Sequence, residues 1–157
     1  MNQLDIQRVF ESDGQPDENS LQLWVDTTLA NSEEDTEVVI RIVDVAESAG
    51  LNENYRHKSG PTNILSFPFE APDIDGFECD LLGDLVICAP VLATEAQEQH
   101  KPLSDHWAHI VIHGVLHLLG YDHIDDADAQ AMESKEISIL QQLNIPNPYT
   151  QVTDHER

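Results

Sequence analysis

HGVLHLLGYDH, residues 113–123, sets three histidines into an apolar run, and the reading of that run decides the fold around it. Next to it and within it, Trp107, Ile110, Val111, Ile112, Val115, Leu116, Leu118 and Leu119 leave almost no polar face. A helix that is apolar nearly all round is a buried helix. The expectation is a central helix that begins at a Ser104 cap, with Pro102 just before it, and runs to about Leu119.

At about 100° per residue, His106, His109, His113 and His117 share a stripe about 80° wide. They cannot all serve one ion. His109 and His117 lie about 12 Å apart along the axis, against Zn–N bonds of about 2.0–2.1 Å. One i, i+4 pair can share a metal, and the third ligand must come from beyond the helix. Gly120 permits a tight turn after His117, which brings Tyr121, Asp122 and His123 back towards the same ion. His113, His117 and His123 match H-x3-H-x2-G-x2-H, the spacing of the metzincin zinc site. Three ligands leave an open position for water, as in catalytic zinc. Cys79, Cys88 or His109 remains open as a fourth. Asp122 or Asp125 is expected to hold a ligand imidazole from behind. His106 and His109 are read as core histidines bonded to a carbonyl.

Outward from that helix, strands and helices alternate. LDIQRVF near the start, EVVIRIVD (37–44), NILSFPF (63–69) and LLGDLVIC (81–88) read as strands. Asp17 to Asn31 and 44–56 read as helices, another follows Pro90 to about Gln99, and a last one begins at Asp126 with Met132, Ile137, Leu140 and Leu143. About four strands and about five helices in unequal order predict an α+β fold, a small mixed sheet with the histidine-bearing helix buried against it. A chain of 157 residues without an evident linker is expected to form one domain over 1–157.

Lys and Arg total 7 against 30 acidic residues, a net charge of −23. That balance argues against a general nucleic-acid binder, because phosphate contacts depend on Lys and Arg. It suits solubility or a cationic partner. The two cysteines suggest no disulfide framework, no stretch is long enough to span a bilayer, and MNQLDIQRVF has no signal-peptide pattern. The expectation is a cytoplasmic enzyme or factor.

A zinc peptidase of this spacing carries HExxH, with Glu as general base. Here that position is Gly114, which demotes peptide hydrolysis without eliminating it. The charge of a transition state needs another stabiliser. In NYRHKSGPTNILSF (54–67), Arg56 and Lys58 flank His57 just before a strand. The planar fork and permanent charge of Arg suit phosphate. For an isolated Arg–His–Lys, the plain reading is a solvated loop with a surface ion pair.

Three blocks together carry a resemblance. HGVLHLLGYDH (113–123), NYRHKSGPTNILSFPFE (54–70) and LGDLVIC (82–88) resemble, in order and separation, the signature blocks of the YbeY family of bacterial endoribonucleases and ribosome-maturation factors. The resemblance implies a zinc-dependent, single-strand-specific endoribonuclease with one zinc ion per chain. It further implies work on ribosomal RNA at the small-subunit 3′ end and in ribosome quality control. The expected partners are single-stranded RNA and the small subunit with its proteins, not DNA or a membrane. His113, His117 and His123 would hold the metal. Arg56 would be the catalytic and substrate-binding cation, and Lys58 would help position the RNA backbone.

Two other classes stand beside this one. A zinc peptidase or amidase would need a carboxylate such as Asp84 or Glu133 near the metal. A non-enzymatic ribosome-assembly factor would use zinc only to hold its fold and would show a sealed, four-ligand site.

Overall fold

A computed structural model describes residues 2–30, 36–70, 74, 76, 80–121 and 125–149. In chain order the elements are β1 (Asn2–Arg8), α1 (Glu18–Thr28), β2 (Thr36–Val43), α2 (Val45–Arg56), β3 (Ile64–Pro68), β4 (Leu81–Cys88), α3 (Ala89–Glu98), α4 (Leu103–Leu118) and α5 (Asp126–Gln142). This is the expected α+β architecture. The sheet order is β1-β2-β4-β3. β1 and β4 run parallel to β2, and β3 runs antiparallel to β4 at the outer edge. The sheet is therefore mixed, and the strand just before the acidic loop becomes its margin.

Local chemistry explains the ends of the elements. Asp17, Asp44 and Asp125 each cap a helix by accepting a backbone N–H three residues on, satisfying a donor that the first turn leaves over. Pro90 sits in the first turn of α3, where its missing N–H goes unnoticed. α4 departs from expectation at its start. It begins at Leu103 with Pro102 at the cap position, and no side chain caps it, so Ser104 lies inside the first turn.

α4 is the axis of the core, because ten of its sixteen residues are buried. It lies against the sheet face formed by Val38, Ile40 and Ile42 of β2 and Leu85 and Ile87 of β4. Leu21, Trp24 and Val25 of α1 close the same core from one side, and Met132, Ile139 and Leu140 of α5 from another. Each such side chain removed from water contributes about 1.5–3 kcal/mol. The opposite sheet face carries a smaller cluster of Val43, Leu65, Val86 and Cys88, with Leu51 of α2 and Phe67 packed on it.

Gly114 explains how α4 comes so close to the sheet. A Cβ there would stand 2.5 Å from Cδ1 of Ile64 and 2.9 Å from Cδ2 of Leu85. On α5, Ile137 is half-buried and Glu136 takes the fully buried place on that face. Among the described residues, no helix is long and apolar enough to cross a membrane.

Candidate active site

The four histidines of α4 divide into a more buried pair, His106 and His109, and a more exposed pair, His113 and His117. His106 bonds through Nε2 to Oε1 of Glu95 on α3 at 2.8 Å. Nε2 of His109 lies 2.7 Å from Oε1 of Glu136. Both were expected to bond a carbonyl, and both bond carboxylates instead. The Nδ1 atom of each is buried without a partner among the described residues. A neutral ring then carries its proton on Nε2, where it donates to the carboxylate. Burial lowers the pKa of His109 even against the pull of Glu136, which keeps that ring neutral.

His113 and His117 are half-buried and turn towards solvent. Their Nε2 atoms stand 3.1 Å apart, with ring planes at 78°. Two imidazoles sharing one tetrahedral ion at about 2.0–2.1 Å would have nitrogens about 3.3 Å apart. The observed pair thus fits a shared ion with little movement. Behind it, Nδ1 of His113 donates to Oε2 of Glu136 at 3.2 Å. That bond fixes the tautomer and leaves Nε2 as a lone pair facing outward.

Glu136 is the residue that sequence reasoning missed. Its side chain is fully buried, and it also accepts from the Tyr149 hydroxyl at 2.9 Å. Burial alone would raise its pKa. The hydrogen bonds donated by His109 and His113 overcome that and hold it at about 2. Burial and the adjacent Glu136 carboxylate push the Tyr149 hydroxyl far above its usual range, so it stays a donor. Asp125, expected behind a ligand, instead accepts from the N–H of Asp128 as the α5 cap. Asp122 lies outside the described residues.

The turn expected after His117 is present. Gly120 takes φ 105°, and Tyr121 N–H reaches the Leu116 carbonyl while Gly120 N–H reaches that of His117. This is a Schellman end, which needs the left-handed residue that glycine supplies. His123 and Cys79 lie outside the described residues. Among the described residues no three His, Cys, Asp or Glu side chains come together as a metal site. Cys88 packs in the smaller cluster on the far sheet face, and Nε2 of His109 is bonded to Glu136. Neither Cys88 nor His109 closes the site.

His113 and His117 form one wall of a cleft of about 610 Å³. Its floor is residues 63–67, from Asn63 through β3, and its other wall is Tyr55 and Arg56 at the end of α2. Arg56 is placed there as the last residue of α2, and a short, well-anchored loop follows it. His57 adopts the left-handed conformation at the end of α2. Asn52 donates to the Gly60 carbonyl at 2.9 Å, and the Ser48 hydroxyl bonds both backbone groups of Thr62. Lys58 is exposed on this loop and does not line the cleft.

The carboxylates weighed for a peptidase do not serve one. Asp84 alternates with Leu85, so it faces the sheet side away from α4, where burial and nearby Asp5 raise its pKa. Glu133 does not line the cleft. The HExxH glutamate position is Gly114, pressed against Ile64 and Leu85, whose side chains would have to shift for any larger residue.

Comparison with known proteins identifies relatives of the chain as a whole. A family model described as endoribonuclease YbeY matches residues 7–144. A protein of Alteromonas mediterranea named endoribonuclease YbeY is 55% identical over 152 residues, covering 93% of this chain and 95% of that one. One of the same name from Methylococcus capsulatus is 54% identical over 149 residues, covering 95% and 96%. The solution structure of TM1509 from Thermotoga maritima aligns with a TM-score of 0.58 at 21% identity, covering 92% of each chain, which speaks to the fold alone.

Proposed function

The chain belongs to the endoribonuclease YbeY family, and from that premise we propose that it hydrolyses single-stranded RNA in the cleft between α4 and β3, with zinc as its cofactor. One observation carries this reading: Arg56 and the outward imidazoles of His113 and His117 line the same cleft. His113, His117 and His123 would hold one zinc ion, which when bound supplies Lewis-acid polarisation.

The chain's own residues do the rest. Glu136 orients His113 and fixes its tautomer through Nδ1. Arg56 presents its planar fork to the non-bridging oxygens of the phosphate and neutralises the charge that grows there. Lys58, just outside, meets the RNA backbone on its way in. The substrate is ribosomal RNA near the small-subunit 3′ end, and the acidic surface docks on basic ribosomal proteins. The 2′-hydroxyl separates RNA from DNA. The whole of 1–157 works as one domain in the cytoplasm.

The test is zinc content and cleavage of a labelled single-stranded RNA by wild type and Arg56→Ala. The variant keeps its zinc and loses at least about tenfold in rate. If zinc binds one per chain and the wild type does not cut above background, the assembly-factor reading takes first place.

A further inference from the structure

The protein carries 30 acidic residues, yet among the described residues none of the nine that line the cleft is a carboxylate and only one, Arg56, is a permanent cation. Apart from the zinc ion proposed above, RNA entering here meets described side chains that carry a single fixed positive charge. Affinity must then come from contacts other than ion pairs.

Two features of the cleft can supply them. The first is Tyr55, a residue 64% exposed although it stands on a helix turn beside the site. It is not loose: its ring lies 5.3 Å from that of Phe67 at 73°, and Phe67 is packed on the smaller core cluster. A scattered surface tyrosine needs no explanation. One braced edge-to-face, adjacent to Arg56 and lining a nuclease cleft, offers a fixed π surface to an unstacked base.

The second feature is the edge of β3, which pairs with no further strand among the described residues. Cys88 N–H bonds the Asn63 carbonyl, and Phe69 N–H bonds that of Leu82. In an antiparallel ladder the bonded residues alternate, so 63, 65, 67 and 69 face β4. Residues 64, 66 and 68 turn their backbone groups outward. Pro68 has no N–H, which stops a further strand from extending along this edge. Asn63 and Ser66 add neutral polar side chains to the same floor.

We infer that Tyr55 is the base-stacking platform of the cleft and that single-stranded RNA is held there chiefly by neutral contacts, with Arg56 as the one cationic side chain that lines it. This inference rests on the nuclease reading above. Stacking accepts any base, and a lone cation gives binding that salt barely weakens. For single strands, log K falls with log[salt] at about −0.7 per neutralised phosphate. The slope expected here is about −0.7, and about −1.4 if Lys58 or the zinc ion also neutralises a phosphate.

The experiment is equilibrium binding of two uncleavable ten-nucleotide probes, 2′-O-methyl oligouridine and the same backbone without bases. Wild type, Tyr55→Ala, Tyr55→Phe and Tyr55→Trp are compared, with circular dichroism melts to show that each is folded. Tyr55→Ala should weaken binding of the base-bearing probe by about 5- to 100-fold, while Phe and Trp retain most of the affinity. The abasic probe should bind wild type and Tyr55→Ala alike. On cleavable RNA, Tyr55→Ala should raise KM and leave kcat within about twofold, the mark of lost uniform binding. Equal binding of the oligouridine by wild type and a folded Tyr55→Ala overturns the inference. So does equal affinity of wild type for both probes, or a salt slope steeper than about −2. Cleavage of unmodified RNA by wild type, measured in parallel, decides the nuclease reading separately, because the probes report binding alone.

Discussion

The carboxylate of Glu136 on α5 lies 3.2 Å from Nδ1 of His113 on α4, so the outward face of a candidate metal ligand is set by a residue wholly buried beneath it. The same carboxylate accepts from His109 and Tyr149, three donors in all. A buried charge is tolerated only with such partners.

Glu136→Gln should therefore weaken zinc. The amide presents one donor to a pocket of donors, and His113 loses the partner that fixes its tautomer. Zinc affinity, measured by competition with a chromogenic chelator, should drop about 10- to 100-fold. Affinity within threefold of wild type would remove Glu136 from the site.

Tyr149→Phe deletes one hydrogen bond to that ionised carboxylate and leaves the ring in place. Urea denaturation should show a loss of about 1.5–3 kcal/mol. No loss would mean that the hydroxyl bond adds nothing to folding.

The pH dependence follows from the sign of the Glu136 shift. Its folded-state pKa is about 2 against an ordinary 4.5, so the folded state favours the ionised form. The resulting stability is present in full above about pH 4.5 and fades as the pH falls towards 2. Thirty acids titrate in the same window, so the measurement is the difference between wild type and Glu136→Gln, both treated with chelator. That difference should be flat above pH 4.5 and should shrink below it. A constant difference down to acid would contradict the assignment.

Gly114→Ala sets two effects against each other. Alanine gains about 1 kcal/mol of helix propensity. Its Cβ would meet Ile64 at 2.5 Å and Leu85 at 2.9 Å, and overpacking of that kind costs about 1–3 kcal/mol. The clash should win: a lower melting temperature, and reduced cleavage as β3 is pushed from α4. A variant more stable than wild type would show that the contact relaxes freely.

Much of this was legible in the residue pattern, for local reasons. The β-branched run at 37–44, the all-round apolar helix and the glycine turn at 120 each follow from period or backbone sterics. What was not legible depends on distant partners. Periodicity identifies a strand without naming its neighbour, so the edge position of β3 appears only in the sheet order. His106 and His109 look like ordinary core histidines until Glu95 and Glu136 arrive from 11 and 27 residues away. Glu136 was hidden among 30 acids. One signal marked it: it falls at the middle of Met132–Glu136–Leu140, an i, i+4, i+8 stripe that is otherwise apolar. A carboxylate in a core stripe demands buried donors.

The bond between α4 and α5 also gives the protein a timetable. Chains emerge from the N-terminus at about 5–20 residues per second, and Glu136 follows His113 by 23 residues. For about one to five seconds of synthesis the cleft wall, Arg56 and the histidines exist without the carboxylate that aims them. An RNA-cutting protein is made on a particle that is itself largely RNA. Here the last piece of its orienting machinery is translated late, 23 residues after the first histidine that it aims.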